Sequence, residues 1–463
     1  MKKTIALLLF ALLIIILAVN LEQIIIGIKK IDVKPPFTDK NIEYQKALED
    51  DFTTNLPVII IDTKKQMIDK DTKTWAKAAV LEKVPGGKSI LSKPDQVMDI
   101  QINYRGASSY AYFDKRQYRI KFFKDTNSTK ELNYELAGME PDSEWVLHGP
   151  FLDRTLMRNH LIYGLAGEIM DWAPDSRFME LFVNGYYQGV YLAVEPVTSG
   201  ASRLRLNTFG LVSGNTPYIV KRERIDTEIE SISTYGEIAG HTSQELSIEY
   251  PASKNLTHAQ RKFIENDLST FETVLYGDKF ADPEKGYAKY IDVDSFVDYV
   301  IINEATMNYD AGKFSVYAYK DLNEKLKMTV WDFNNSYNHY QWSYHKYDQF
   351  FLTDSPWFDR LLQDRQFVEK VVHRYRELRK DILSTENIHQ HIDDYQMELG
   401  SAIDRNFDVW GYSFRLTLLF KKGEQEREPR NYDDAILQLK TAIESRFSFL
   451  DENIEELYKN CVN

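Results

Sequence analysis

Two aspartates flank a stretch whose residue pattern would bring them together. Within residues 308–335, NYDAGKFSVYAYKDLNEKLKMTVWDFNN, positions 316–319 alternate small or apolar with aromatic side chains, 321–324 have turn composition, and 326–333 alternate again. That pattern predicts a β-hairpin. Asp310 precedes the first strand and Asp332 closes the second, so antiparallel pairing would bring the ends carrying the two carboxylates close together. Two acids so placed suit phosphoryl transfer, where one accepts the proton of an attacking hydroxyl and the other holds Mg²⁺ on nucleotide phosphates. Asp is also common in turns, and a surface hairpin with an acid in each flanking loop is the competing reading.

Protein kinases divide this work between the Asp of a D-x-x-x-x-N loop and the Asp of D-F-G. Here Ser315 stands five residues after Asp310, where the metal-binding Asn would be, and Asp332-Phe333-Asn334 stands where D-F-G would be. Arg105-Gly106-Ala107-Ser108-Ser109 is a small-residue turn between strand-like runs at 98–104 and 117–123. Such a turn can offer backbone N–H groups and the Ser108 and Ser109 hydroxyls to phosphate oxygens. In the second run, period two puts Tyr118, Ile120 and Phe122 on one face and Arg119 and Lys121 on the other. Lys121 is therefore the predicted phosphate-pairing lysine, with Lys115 as second candidate; a solvated lysine is the commoner fate of the residue type.

Other elements must position these groups. Residues 56–61 and 75–84 read as further strands, with Pro85-Gly86-Gly87 as a turn. Residues 153–170 read as a helix capped by Asp153, with a largely apolar stripe and Arg158 beside it, in reach of a phosphate or a carboxylate. Strands at 178–183 and 188–195 are joined by Asn184-Gly185, a hairpin signal, and Glu195-Pro196 is the expected hinge between lobes. Residues 218–221 are strand-like; Lys221 could approach a nucleotide from the hinge side, a solvated lysine being the commoner outcome, and the polar stretch 228–243 reads as an insertion loop. Helical periodicity recurs from Thr257 to Leu275, at 295–305, and at 357–362, 367–383, 388–405 and 433–457. Residues 337–347 lie where an activation segment would be; His339 and His345 lack a third ligand at metal spacing.

The chain has 463 residues, enough for two or three domains, and its 57 basic and 70 acidic residues give a net charge of −13. That balance argues against a duplex nucleic-acid partner and fits a basic protein substrate. The single cysteine, Cys461, excludes an internal disulfide. Residues 1–28 begin with Lys2-Lys3 and continue through a long apolar run, which reads as a signal-anchor, a cleaved signal peptide being the alternative. The rest of the chain would then be extracytoplasmic or secreted. Residues 29–55 read as a polar linker.

Several of these stretches together resemble the CotH (spore coat protein H) kinases: RGASSYAYFDKRQYRIKF from Arg105, DRTLMRNHL from Asp153, ELFVNGYYQGVYLAVEPV from Glu180, IDVDSFVDYVIINEATMNYDAGKFSVYAYKD from Ile291 and TVWDFN from Thr329. The resemblance implies an α+β, bilobal, atypical protein-kinase-like fold, with a β-rich N-lobe at 56–196 and a mostly helical C-lobe at 197–463 behind the membrane segment. It implies transfer of the ATP γ-phosphate to Ser or Thr of a protein with Mg²⁺ or Mn²⁺, a spore coat being one destination. By resemblance Asp310 is the catalytic acid, Asp332 the metal-binding acid, Arg105 to Ser109 the phosphate-side loop, and Arg158 the arginine of an R-N helix motif. Asn334 and Ser315 complete the expected metal ligands.

Three departures bear on activity. Ala107 replaces the Asn of R-G-N-S-S, Ser315 the Asn after the catalytic acid, and Asn334 the second Asp of W-D-F-D. A serine hydroxyl binds Mg²⁺ less well than an amide oxygen, so reduced metal stringency is expected. A pseudokinase that keeps the fold without turnover is the alternative, and a metal-dependent hydrolase or nucleotidyl-transferring relative is the third.

Overall fold

The computed structural model describes residues 52–82, 88–89, 94–126, 129–207, 214–223, 231–337, 347–415 and 429–462. The apolar segment at 1–28 and the histidines His339 and His345 lie outside them. Among the described residues no helix is long and apolar enough to cross a membrane.

The first part is β-rich. Its strands are β1 (Thr53–Thr54), β2 (Val58–Asp62), β3 (Thr74–Leu81), β4 (Lys88–Ser89), β5 (Gln96–Arg105), β6 (Gln117–Phe123), β7 (Glu144–His148), β8 (Ser176–Val183) and β9 (Tyr186–Val194). Seven of them close into a barrel in the order β2-β3-β5-β6-β7-β9-β8, sealed by parallel pairing of β2 with β8, Val58 opposite Glu180, while β1 pairs with β4. Closure leaves those strands no edge for another chain to join. The strand alternation supplies the interior: Ile59, Ile100, Ile102, Ile120, Trp145 and Leu181 are buried inside. Asn184 and Gly185, both at positive φ, form the turn between β8 and β9, and the Asn184 side chain accepts a hydrogen bond from the Thr63 backbone at 2.8 Å.

Between β5 and β6 lies a short helix, α1 (Ser108–Tyr112), and between β7 and β8 lies α2 (Arg158–Ile169). The second helix starts five residues later than the sequence suggests. Asp153 is not its terminal residue; its carboxylate accepts from the Arg158 backbone at 2.9 Å, while Thr155, Leu156 and Met157 lead into the helix.

A second sheet combines β10 (Tyr218–Glu223), β11 (Ser231–Ile232), β12 (Glu245–Tyr250), β13 (Val316–Lys320) and β14 (Lys327–Thr329), in the order β11-β12-β10-β13-β14. The region expected to be an insertion loop holds β11 and a one-turn helix, α3 (Tyr235–Ile238). The rest is helical: α4 (His258–Leu275), α5 (Val293–Ala305), α6 (Phe358–Leu361), α7 (Arg365–Leu378), α8 (Thr385–Leu399), α9 (Ala402–Trp410) and α10 (Tyr432–Asn453). Thr257 and Gln260 form a capping box on α4, and Asp292 caps α5. The expected helix at 388–405 is two helices, because Gly400 ends α8 at φ +45.

Two buried ionic contacts stand out, one joining the helical part to the barrel and one within the helical part. Arg405 on α9 grips Glu180 of β8 with two 2.9 Å bonds, and its neighbour Asn406 accepts from Val190 N at 3.1 Å. Arg446 on α10 bonds the Glu304 carboxylate and carbonyl, each at 2.8 Å, and the carbonyls of Tyr347 and Gln349 at 2.7 Å. Glu304 also accepts from the backbone of Phe351 and Leu352 at 2.9 Å. The last turn of α5 is thereby clamped to the chain at 347–352. Removing one member of a buried pair strands the other charge, so Arg446→Met is expected to cost about 3–5 kcal/mol, read as a lower urea midpoint. Glu304→Leu combined with Arg446→Met should recover most of that loss.

Candidate active site

The segment leaving α5 carries Asp310. Asn303, in the last turns of the helix, accepts from Asn308 Nδ2 at 2.9 Å, and its carbonyl accepts from Asn308 N at 3.1 Å. Beyond it the Asp310 carbonyl accepts from Lys313 N and Phe314 N at 3.0 and 2.8 Å. Gly312, at φ +74, lets the backbone pass the Ser355 side chain, whose Cβ a methyl group there would approach to 2.4 Å. The loop is tied down at Ala311 by Ser355 Oγ, at 3.0 Å, and at Gly312 O by Arg222, at 3.3 Å. Asp310 is thus displayed, half-buried, on a fixed turn just before β13.

The second acid follows β14. Pairing of β13 with β14, Tyr317 opposite Thr329, is the predicted hairpin. Asp332 has φ +66, a conformation that Asp tolerates better than most residues. Its backbone N–H donates to Tyr163 Oη at 3.1 Å, and Phe333 N–H donates to Asn159 Oδ1 at 2.7 Å. Both partners are on α2. Tyr163 also stacks on Trp331, with ring centroids 6.0 Å apart. Arg158 is wholly buried, paired with Asp153 at 2.6 Å and donating to Ser336 O at 3.2 Å. The R-N pair therefore positions the strand-to-loop turn that carries Asp332, and Arg158 is not aimed at a phosphate.

Water reaches the Asp332 side chain, yet protein surrounds it closely enough that burial is the main cause raising its pKa to about 6. Asp310 raises it next; Arg105 opposes, Glu223 adds to the rise, and Lys221 again opposes. The two predicted acids therefore lie in each other's field. Arg105, at the end of β5, lies over the Trp331 ring at 5.5 Å and donates to Gln117 Oε1 at 2.9 Å. Burial lowers its pKa, and Tyr317, Asp332 and Tyr163 oppose that fall.

The lysine expectations are corrected. Lys121 lies on the outer face of the barrel, paired with Glu131 at 2.5 Å and with Glu144 at 3.8 Å, because the same alternation that buries Ile120 and Phe122 turns it away from Asp332. Lys115 is fully buried, bonded to Val190 O at 2.6 Å and Asn406 Oδ1 at 2.8 Å, where it joins α9 to the barrel. Ser108 and Ser109 open α1, Ser108 exposed and Ser109 half-buried. The Ser315 hydroxyl bonds Glu223 at 3.2 Å, and Asn334 is half-buried two residues past Asp332. Asn159, Tyr163 and Glu223 were missed as parts of the site, and Lys221 was weighed there but read as more commonly solvated. The R-N dipeptide pointed toward Asn159, and period two along β10 would have put Lys221 and Glu223 on one face.

Among the described residues no three His, Cys, Asp or Glu side chains converge to hold an ion. The donors present fit a divalent cation differently: they are all oxygens, and a cation would relieve the repulsion that raises Asp332. Magnesium is commonly held by one or two carboxylates, with phosphate and water supplying the rest.

Two acids in each other's field at the end of a hairpin, beside a barrel arginine and braced by a helix from behind, make an acidic site of oxygen donors. Residues 102–450 match the CotH kinase protein family, well over half of the chain, and the chain belongs to that family. Over 247 residues it is 24% identical to the inner spore coat protein H of Bacillus subtilis (strain 168), covering 51% of this chain and 58% of that relative. The match thus spans little more than half of the relative's length.

Because the folded pKa of Asp332 lies above its ordinary 3.8, the native state binds more protons between those values, and the ionised carboxylate costs stability above about pH 6. Asp332→Asn is expected to raise the Tm of the nucleotide-free protein at pH 8. The gain should shrink as pH falls through about 6 and vanish by about pH 4. Calorimetry across that range checks it; a pH-independent gain contradicts it.

Proposed function

We propose that this chain is an ATP-dependent protein Ser/Thr kinase of the CotH type, on a bilobal, protein-kinase-like frame with the barrel as N-lobe and residues 197–463 as C-lobe. The observation that carries this reading is the meeting of Asp310 and Asp332 at one end of the β13–β14 hairpin, with Arg105 beside them. Asp310 orients the acceptor hydroxyl and takes its proton as the oxygen bonds to the γ-phosphorus; the bond from that phosphorus to the bridging oxygen breaks and ADP leaves. Arg105 balances negative charge on the barrel side, with Ser108 and Ser109 offering hydroxyls from the adjoining turn.

Asp332 and Asn334 would hold Mg²⁺ or Mn²⁺, which when bound neutralises charge on the nucleotide phosphates. Ser315 is a weaker ligand than the amide it replaces. The acceptor is a protein of the cell envelope or spore coat, Ser-rich and basic. The net charge of −13 and the name of the Bacillus relative support that class. Residues 1–28 would direct the folded part out of the cytoplasm.

Transfer of label from γ-labelled ATP to a basic, Ser-rich protein by the full chain, with Mg²⁺ and separately with Mn²⁺, tests the reading. Asp310→Ala should lower the rate by about 10²-fold or more while nucleotide still binds. Asp332→Ala should abolish both transfer and cation-dependent nucleotide binding. Label that survives in both variants would end this reading; nucleotide binding by the unaltered protein without any transfer would favour the pseudokinase.

A further inference from the structure

The two barrel lysines expected to pair phosphates, Lys121 and Lys115, are committed elsewhere. A lysine does stand in the field of Asp332, on the second sheet. Lys221 on β10 lies across from Tyr317 of β13 in the sheet register, its Nζ 5.7 Å from the Tyr317 ring. It pairs with Glu223 at 3.2 Å, two residues along the same strand and on the same face. Arg222 between them faces the other way, buried over Trp357 at 4.2 Å. The Ser315 hydroxyl donates to the same Glu223 oxygen that Lys221 bonds, at 3.2 Å. That contact links the pair to the end of the Asp310 loop. Both side chains keep about a fifth of their surface, 19% for Lys221 and 21% for Glu223, so the ammonium is held without being sealed off. Both also act electrostatically on the Asp332 carboxylate, so the pair lies in its neighbourhood.

We infer that Lys221 and Glu223 are the nucleotide-positioning ion pair of this protein, Lys221 binding the phosphates of a nucleoside triphosphate and Glu223 orienting it, with Ser315 holding Glu223 in place. This rests on the phosphoryl-transfer reading. In protein kinases the corresponding pair joins a sheet lysine to a helix glutamate; here both members lie on one strand of the second sheet. The serine at 315 then has a task of its own: an asparagine amide there would be longer and would meet Glu223 differently. Arg105 from the barrel and Lys221 from the sheet would grip the phosphates from two sides.

The test is the affinity of the full chain for the non-hydrolysable analogue AMP-PNP with Mn²⁺, and for adenosine, by titration calorimetry. Lys221→Met should weaken AMP-PNP binding by about tenfold or more, the worth of one charge-assisted hydrogen bond, and leave adenosine binding as it was. Glu223→Gln should weaken AMP-PNP in the same direction by less, with an unchanged Tm in the nucleotide-free state. Equal loss for AMP-PNP and adenosine would mean that Lys221 acts through the fold and would overturn the inference. So would wild-type AMP-PNP affinity in Lys221→Met, which leaves the kinase reading standing. Absence of AMP-PNP binding by the unaltered protein would overturn the kinase reading itself, and the inference with it.

Discussion

Asp310 and Asp332 bring like charges into one cleft, and much of the surrounding architecture serves to keep them there. Burial and repulsion both disfavour ionised Asp332, so the arrangement persists only because the backbone on either side is tied down and positive charge stands near. Arg105 supplies that charge from the barrel and Lys221 from the second sheet. The turn at Asp332 is held by Asn159 and Tyr163 on α2, and the Asp310 loop by Asn303, Ser355 and Arg222. The backbone on which each acid is carried cannot shift without breaking these hydrogen bonds.

That division of labour extends through the molecule. Arg158, Lys115, Arg405 and Arg446 are charged residues of the kind that suggest chemistry, and each is spent on holding two elements together. Arg158 links α2 to the loop beyond Asp332, Lys115 and Arg405 join α9 to the barrel, and Arg446 locks the end of α5 to the chain that follows the site. A charge in low dielectric is retained only when it is well satisfied, which makes such residues good registers for how two parts meet.

The hairpin, the pairing of its two acids, the Asn184-Gly185 turn, most strand positions and the capped helices α4 and α5 were legible in the chain, because each depends on local pattern: alternation, turn composition or a capping residue next to its helix. Asp310 and Asp332 were legible for the same reason, since a hairpin converts separation along the chain into proximity at its end. Arg105 was legible as a member of a motif. The split at Gly400 and the strands β11 and β12 within a polar region were less so, as their residues are stabilised by neighbours far along the chain.

Roles decided by distant contacts were beyond any reading of the sequence. Period two correctly put Lys121 and Ile120 on opposite faces, but only barrel closure determined that the lysine face is the outer one. Arg158 and Asn159 are adjacent, and nothing local says that one is buried against Asp153 while the other reaches the Phe333 backbone. For Lys221 the sequence left a nucleotide-side role and a solvated one open, until the pairing of β10 with β13 set it beside Tyr317 and Glu223. By itself, then, the sequence determined the locally patterned elements and which two acids meet; the tertiary structure decided which cations attend them, because that depends on the face each strand turns toward the acids once the sheets have closed.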